Sequence, residues 1–318
     1  MTMAMVKGNA HEVTVNDSIL GENLIERFIR FAGVSESSRL TYAKCLRQMF
    51  RYLKADNVTE PNRETLIGWI NLMKLGGKSP STIQLYVSAA KIFFRWLAQE
   101  GIYANVADHL KTGLKPSHGH KKDCLTPEQC KKLVKGVAGN SIKAVRDHAI
   151  LALMTTAGLR TIEVVRASVG DIRFERGKIF LYVTGKGHAE ADEKVLLAKQ
   201  TYRAIADYLK LRGKVQASEP LFVSTSRRNK NARLQTQTIS RMVKQNLRGI
   251  GLDSPRLTAH SLRHSAATNL IFAGVELPQV QMVLRHRNLA TTMIYSHSWE
   301  RYQNDSEQIL SDMIFGKE

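Results

Sequence analysis

Apolar residues recur at three- and four-residue steps through the first third of the chain. One stripe in SSRLTYAKCLRQMFRYLKA is formed by Leu40, Ala43, Leu46, Phe50 and Leu53. Basic residues lie largely around the other sides of the same stretch. A helix that buries one face and exposes the other carries this 3.6-residue period. The pattern therefore predicts an amphipathic helix.

A second apolar stripe runs through SPSTIQLYVSAAKIFFRWLAQEG. Ser79 suits an N-cap, Pro80 suits the first helical position, and Gly101 suits the place just past the end. Two further amphipathic stretches lie near 21–32 and 62–75. We therefore predict a loose N-terminus over residues 1–18 and a small helical bundle over 19–110.

A polar, lysine-rich break follows the bundle. The stretch KTGLKPSHGHKKDC contains glycine and proline, which interrupt helices, and like charges that resist compaction. It predicts a linker over residues 111–124. A second domain over residues 125–318 then begins with Thr126 as an N-cap and Pro127 at the first helical position.

The second domain has a mixed pattern. A helical stretch, AVRDHAILALMTTAG, closes near Gly158. Three short segments, DIRF, KIFLYV and EKVLLA, then alternate like strands and are joined by turn residues. Helical periodicity resumes and continues to the C-terminus. The pattern predicts a mainly helical domain that contains a small sheet.

Composition narrows the class of protein. A length of 318 residues fits about two domains. No run approaches the ~18 apolar residues of a membrane helix, and the N-terminus does not resemble a signal peptide. The three cysteines form no C-x-x-C pair, so we expect neither a disulfide framework nor a zinc site. We expect the protein to be cytoplasmic.

Charge points to a polyanionic partner. The chain carries 47 basic and 28 acidic residues, a formal net charge of +19. Such an excess repels itself unless a polyanion offsets it. An anionic membrane is the rival partner, but no lysine-rich amphipathic helix or lipidation signal is present. The balance favours nucleic acid.

Several polar residues in the second domain have spacings that suggest a site. His260 and Arg263 are three apart, so on a helix they share a face. Arg160 lies two residues after Gly158, with Glu163 one turn on, and Lys186 lies at the tip of a tight strand connection. Taken singly, such residues are usually surface or packing residues.

In combination, these segments resemble the tyrosine recombinase (phage integrase) family. The resemblance rests on AGLRTIEV, TGKGHAEADEKV, HSLRHSAATNLI and VLRHRNLATTMIYSH, in this order and spacing. It covers about residues 125–305, and the total length is similar to compact Xer-type members. The implied fold is mainly α, with an N-terminal helical core-binding (SAM-like) domain. An α+β catalytic domain with a small three-stranded antiparallel sheet would follow.

The resemblance implies six catalytic positions: Arg160, Lys186, His260, Arg263, His286 and Tyr295. The two arginines would clamp the scissile phosphate, which suits their permanent charge and planar set of donors. His286 would donate to the same phosphate, Lys186 would protonate the leaving 5′-oxygen, and His260 would assist proton removal from Tyr295. Lys194 is a less favoured alternative for the lysine. Glu163 would orient Arg160, and the chemistry requires no metal or cofactor.

DNA contacts outside this set are expected from side chains on predicted helix starts and faces. The candidates are Arg39, Tyr42, Ser79, Thr82, Gln235, Thr236, Thr238, Arg241 and Lys244. The tail carries Ile309, Leu310, Met313 and Ile314 at helical spacing. Such a helix can pack onto its own domain. By resemblance, it would instead join neighbouring subunits in a homo-tetramer on two double-stranded DNA sites. A monomeric type IB topoisomerase and a non-catalytic DNA-binding accessory protein remain alternatives.

Overall fold

The structure, a computed structural model, describes residues 21–113, 123–137, 139–185, 191–295 and 304–316. The chain divides into two compact units, Met1–His118 and Gly119–Glu318. The predicted N-terminal segment 1–18 lies outside the described residues, as does most of the predicted linker.

The described part of the first unit is a bundle of four helices. Its elements are α1 (Glu22–Phe31), α2 (Glu36–Ala55), α3 (Arg63–Leu75) and α4 (Pro80–Gln99). Ser79 caps α4 by accepting a hydrogen bond from the Thr82 amide, and Pro80 occupies the first turn. The apolar faces meet in an aromatic-rich core, in which the rings of Phe28 and Phe93 pack edge to face at 5.4 Å.

The predicted stripes of this bundle form its core, with one exception. Ala43, Leu46, Phe50 and Leu53 are buried on α2, but Leu40 is 71% exposed. Leu40 lies in the second turn of α2, and the apolar period extends beyond the part of the helix that the other helices cover. Its assignment to the core was therefore wrong.

The second unit is mainly helical. It contains α5 (Pro127–Lys135), α6 (Ile142–Ala157), α7 (Thr161–Arg166), α8 (Lys199–Arg212), α9 (Thr236–Gly249), α10 (Ala259–Phe272), α11 (Leu277–Leu284) and α12 (Ser306–Phe315). Residues 290–295 are also helical. Thr126 caps α5 in a reciprocal arrangement with Gln129, as the sequence predicts. Most residues of α6 and α10 are buried, and both helices contribute to the core of this unit.

A three-stranded antiparallel sheet lies between α7 and α8 in the sequence. Strands β1 (Ile172–Glu175), β2 (Lys178–Val183) and β3 (Glu193–Leu196) are arranged in the order β1-β2-β3. Leu181 on β2 pairs with Ile172 on one side and Val195 on the other. Because side chains alternate along a strand, Leu181 and Val183 face the core together. The predicted mainly helical fold with a three-stranded sheet is confirmed.

The last helix exposes its apolar face. In α12, the exposed large side chains are Ile309, Leu310, Met313, Ile314 and Phe315. Within the described residues, no helix is long and apolar enough to cross a membrane.

Candidate active site

A glycine turn places the first arginine. Gly158 ends α6 in the left-handed conformation, with φ 59° and ψ 31°. A Cβ at this position would lie 2.9 Å from Leu284 Cδ2, so a larger residue would clash as well as strain the backbone. The chain then enters α7, with Arg160 at the N-cap position. The turn at Gly158 therefore fixes the position of Arg160 at the start of α7.

Glu163 forms the buried centre of an arginine cluster. Its Oε1 accepts a hydrogen bond from Arg160 Nη1 at 2.5 Å, and its Oε2 accepts one from the Arg160 amide at 2.8 Å. Oε2 also accepts from Arg285 Nη2 at 2.8 Å. Burial alone would raise the pKa of this carboxyl group, but Arg285 and Arg160 outweigh burial and lower it. Glu163 is therefore a carboxylate that orients two guanidinium groups.

The second arginine, Arg263, lies on α10 and is 2% exposed. Its Nη1 donates to the carbonyl oxygen of Gly158 at 2.7 Å, and its Nη2 donates to that of Leu284. Burial, and then repulsion from Arg160, lower the pKa of Arg263 to about 9. The group is still charged at neutral pH. It is held by neutral carbonyl groups, and a bound anion would offset its charge.

Arg285 is a third arginine of the cluster, which the sequence reasoning missed. It follows α11 in the left-handed conformation (φ 54°, ψ 50°), where glycine or asparagine is more usual. Its side chain is 6% exposed, pairs with Glu163, and has its Nε 3.6 Å from Glu193 Oε2 at the start of β3. An arginine at a helix end directly before His286 was the available signal.

Arg285 allows backbone strain to be separated from charge. We expect the order of stability native, Arg285→Gly, Arg285→Ala, because both variants lose the contact with Glu163 and only glycine relieves the left-handed backbone. The two variants should differ by about 1 kcal/mol in the free energy of unfolding. Urea denaturation of the three proteins measures this order. Because Arg285→Ala keeps the left-handed backbone, an alanine variant as stable as the native protein would show that the ion pair does not stabilise the fold.

Tyr295 is buried beside this cluster. It is 4% exposed and packs with Ala267, Ile271 and Leu284 from α10 and α11. Its hydroxyl oxygen lies 2.5 Å from Nδ1 of His264, a residue that the sequence reasoning did not select. Burial raises the pKa of Tyr295 to about 12, although Arg263 and Arg160 act in the opposite direction. The hydroxyl is thus protonated at neutral pH and needs a proton acceptor to become a nucleophile.

His286 lies against the tyrosine and is neutral. Its ring is nearly parallel to that of Tyr295, with the centroids 6.4 Å apart. Burial, then the positive charges of Arg263 and Arg160, lower the pKa of His286 to about 4. Its Nδ1 lies 2.9 Å from the hydroxyl of the buried Thr292. If that hydroxyl donates, the ring proton resides on Nε2, from which it can be donated to a ligand.

His260 borders a cleft beside Arg160. It is exposed on α10, and its ring lies 4.4 Å from that of His264, nearly perpendicular to it. The cleft has a volume of about 320 Å³ and is lined in part by Arg160, Thr161, Ser240 and His260. The role of His260 toward the proton of Tyr295 stays a prediction.

The predicted lysine lies outside the described residues. Lys186 belongs to the connection between β2 and β3, of which residues 186–190 are not described. The alternative, Lys194 on β3, is 2.7 Å from Glu175 Oε2 and lies over the rings of Tyr182 and Phe180. These sheet contacts give Lys194 a structural use and leave Lys186 the better candidate.

The candidate DNA contacts of the first unit have mixed environments. The Ser79 hydroxyl caps α4 and lies 2.8 Å from the Thr82 hydroxyl. Tyr42 packs against the core. Arg39 is half-buried, and its Nε has no hydrogen-bond partner among the described residues. Arg39 therefore has a buried donor that no described group satisfies.

The candidates of the second unit cluster at α9. Gln235 is its N-cap residue, Thr236 is half-buried in its first turn, and Thr238 and Arg241 are exposed. Lys244 instead lies 2.9 Å from Asp253 and donates to the carbonyl of Ser254, which ties α9 to the next loop.

A further basic side chain near α9, that of Arg233, has a structural role. Its Nη1 donates to the carbonyl oxygens of Val165, Arg166 and Ala167 at the end of α7. A guanidinium at this position satisfies carbonyl groups that have no partner within the helix. Arg233 therefore stabilises α7, the helix that carries Arg160 at its start.

Within the described ranges, no three or more His, Cys, Asp or Glu side chains form a group that could hold a metal ion.

Two family models match the chain. One, described as the phage integrase family, matches residues 123–301. The other, described as the phage integrase N-terminal SAM-like domain, matches residues 24–101.

Curated relatives match over most of their length. Tyrosine recombinase XerA of Pyrococcus horikoshii is 31% identical over 285 residues, which are 90% of this chain and 90% of that protein. Tyrosine recombinase XerC of Thermodesulfovibrio yellowstonii is 29% identical and covers 83% of this chain and 87% of its own.

Solved structures share the fold. The XerH site-specific recombinase, bound to palindromic difH substrate in a post-cleavage complex, superposes with a TM-score of 0.73 at 19% identity. The match covers 92% of this chain and 85% of that one. A lambda integrase dimer bound to a COC′ core site gives 0.64 at 16% identity, over 86% and 76% of the two chains.

Proposed function

The chain belongs to the phage integrase family of tyrosine recombinases, enzymes that cleave DNA and exchange strands, and we propose that Tyr295 is its nucleophile. In this proposal the substrate is double-stranded DNA at a specific site. Attack by the tyrosine gives a 3′-phosphotyrosyl link and a free 5′-hydroxyl. The bond energy is retained in that link, so a second DNA end can reverse the step without a nucleotide cofactor.

One observation carries the proposal: a buried tyrosine hydroxyl next to an arginine cluster. Three positive charges lie around the single carboxylate of Glu163, those of Arg160, Arg263 and Arg285. The charges of Arg263 and Arg160 act to lower the pKa of Tyr295. A phosphodiester carries one negative charge and several acceptor oxygens, which suits this surplus. Packing alone would not require a tyrosine among arginines.

The arginines supply what phosphoryl transfer needs most. Negative charge on the phosphate repels a nucleophile and increases in the transition state, so catalysis depends mainly on positioned positive charge. Arg160 is 27% exposed, which leaves it accessible to DNA, and Glu163 holds its guanidinium in place. Arg263 supports the clamp from the core, and neutral His286 would donate its Nε2 proton to a phosphate oxygen.

The leaving oxygen needs a proton of its own. When Tyr295 Oη forms a bond to phosphorus, the bond from phosphorus to the 5′-oxygen breaks, and an alkoxide is a poor leaving group. The family resemblance assigns this acid role to Lys186. The same lysine would remove the proton from the 5′-hydroxyl in the reverse step, when the second DNA end attacks.

The exposed apolar face of α12 favours assembly over a monomeric enzyme. Five large apolar side chains on a helix of ten residues leave a surface that water does not favour. We propose that α12 packs on a neighbouring subunit in a homo-tetramer on two DNA sites, with strand exchange through a Holliday junction. The net charge of +19 suits this DNA-bound state and a location on the nucleoid in the cytoplasm.

The test is to trap the covalent intermediate. A duplex selected from a random pool by binding to the full chain is nicked at successive positions, so that the short 5′-hydroxyl fragment diffuses away after cleavage. We expect a protein–DNA adduct that survives denaturing electrophoresis. The phosphotyrosyl modification should lie on the tryptic peptide of residues 288–301, which contains Tyr295.

Three results would contradict the proposal. No adduct at any nick position would support an accessory DNA-binding protein, and an adduct on another residue would exclude Tyr295. Relaxation of supercoiled DNA that has no selected site, at the same rate as DNA with the site, would support a topoisomerase instead.

A further inference from the structure

The hydrogen-bond partner of the Tyr295 hydroxyl is a histidine with no role so far. His264 follows Arg263 on α10, is 7% exposed, and places its Nδ1 2.5 Å from the tyrosine oxygen. The two rings lie 5.5 Å apart at an angle of 50°, so the contact is directed from atom to atom and is not a stacking contact.

We propose that His264 is a catalytic residue whose Nδ1 accepts the proton of the Tyr295 hydroxyl as the tyrosine attacks the phosphodiester. This inference rests on the proposed function of Tyr295. It changes which histidine acts as the base. The resemblance assigned the tyrosine proton to His260, which lies one helical turn earlier on the same face of α10.

The position of the nitrogen decides between two histidines beside Tyr295, the buried His264 and the half-buried His286. A general base must lie within hydrogen-bond reach of the proton that it removes. The Nδ1 of His286 is engaged by the Thr292 hydroxyl, and its ring lies parallel to the tyrosine ring. The Nδ1 of His264 already faces the tyrosine oxygen.

The proton balance closes in both directions. On attack, the Oη–H bond breaks, the proton goes to His264 Nδ1, and the Oη electron pair forms the bond to phosphorus. The bond from phosphorus to the 5′-oxygen breaks, and that oxygen takes a proton from a separate acid, Lys186 in this scheme. When the second 5′-hydroxyl attacks, its proton goes to the now neutral Lys186 and its oxygen forms the bond to phosphorus. The bond from phosphorus to Oη breaks, and Oη takes its proton back from the imidazolium of His264.

Bound DNA favours this transfer. An imidazolium at His264 adds positive charge next to Arg263, which the unbound site disfavours. The scissile phosphate brings a negative charge to the same cluster and offsets it. Proton acceptance therefore couples to substrate binding, and the tyrosine stays protonated and buried until DNA arrives.

The test compares single-turnover adduct formation by the native protein and by His264→Asn. Asparagine has a polar atom near the position of Nδ1 and can keep a hydrogen bond, but it cannot accept the proton. We expect the rate to fall by about 100-fold or more, with DNA affinity and melting temperature close to native. The matched control is His109→Asn. His109 lies in the first unit with 81% of its side chain exposed, and its variant should retain the native rate.

A modified substrate separates the base from the acid. If sulfur replaces the bridging 5′-oxygen, the leaving thiolate needs no proton, because a thiol has a pKa of about 8.5. This substrate should restore cleavage by Lys186→Ala but not by His264→Asn. His264→Phe, which keeps a ring but no acceptor, should behave like His264→Asn and replaces it if the asparagine variant is unstable.

The inference is overturned if a folded His264 variant cleaves within about threefold of the native rate, or if the sulfur substrate restores its rate. These outcomes require a native adduct on Tyr295. Without that adduct the proposed function fails, whereas an unaffected His264 variant removes only this inference.

Discussion

Replacement of Tyr295 by phenylalanine is expected to abolish the covalent protein–DNA adduct while DNA binding is retained. The variant lacks the oxygen that forms the bond to phosphorus, so the loss should be on the order of 10⁴-fold or more. Affinity should change little, because the arginines remain in place. Adduct formation on the nicked duplex and an electrophoretic mobility shift with intact duplex measure the two properties.

Tyr295→Phe also leaves His264 Nδ1 without its hydroxyl partner, so a modest loss of stability is expected. A buried polar atom that loses its partner costs about 1–3 kcal/mol. Tyr208→Phe is the matched control: Tyr208 is fully buried, and its hydroxyl accepts a hydrogen bond from the Val223 amide at 3.2 Å. It should lose stability and keep cleavage. An adduct formed by Tyr295→Phe would exclude Tyr295 as the nucleophile.

Glu163→Gln is expected to destabilise the second unit and to slow cleavage. The carboxylate is 1% exposed and accepts hydrogen bonds from Arg160 and Arg285. Glutamine has one acceptor oxygen, and its amide group would face a donor. We expect a loss of about 3 kcal/mol, at the low end for a broken buried ion pair because Arg160 is 27% exposed. Hydrogen exchange at the amides of α6 and α10 measures this loss.

The pH dependence distinguishes charge from shape at Glu163. Its folded-state pKa is lowered from the ordinary value of 4.5, so its contribution to stability is complete above pH 4.5 and is lost as pH falls through the lowered value. The gap between the native protein and Glu163→Gln should therefore be constant near neutral pH and shrink in acid. A gap that does not change with pH would mean that packing causes it.

Asp253→Asn is the control for this variant. Asp253 also bridges two basic side chains, Lys244 at 2.9 Å and Arg248 at 3.1 Å, but 57% of its side chain is exposed. Solvent screens such pairs, so its replacement should have a much smaller effect. Equal losses from the two variants would contradict the buried-cluster account.

The sequence by itself determined the elements and the family. Apolar periodicity and capping residues are local, so the four helices of the first unit, the cap at Thr126 and the turn at Gly158 could be read directly. The order and spacing of the polar residues in the second domain indicated the family. Leu40 marks the limit of this information, because a stripe shows which face is apolar but not how far neighbouring helices cover it.

Only the tertiary structure decided which side chains meet around Tyr295. His264 and Tyr295 are 31 residues apart, and Glu163 and Arg285 are 122 apart, and no local pattern links either pair. Both contacts depend on how α7, α10 and α11 pack. Burial then sets the protonation of the tyrosine and of His286, since a pKa depends on the charges and solvent that packing leaves around a group.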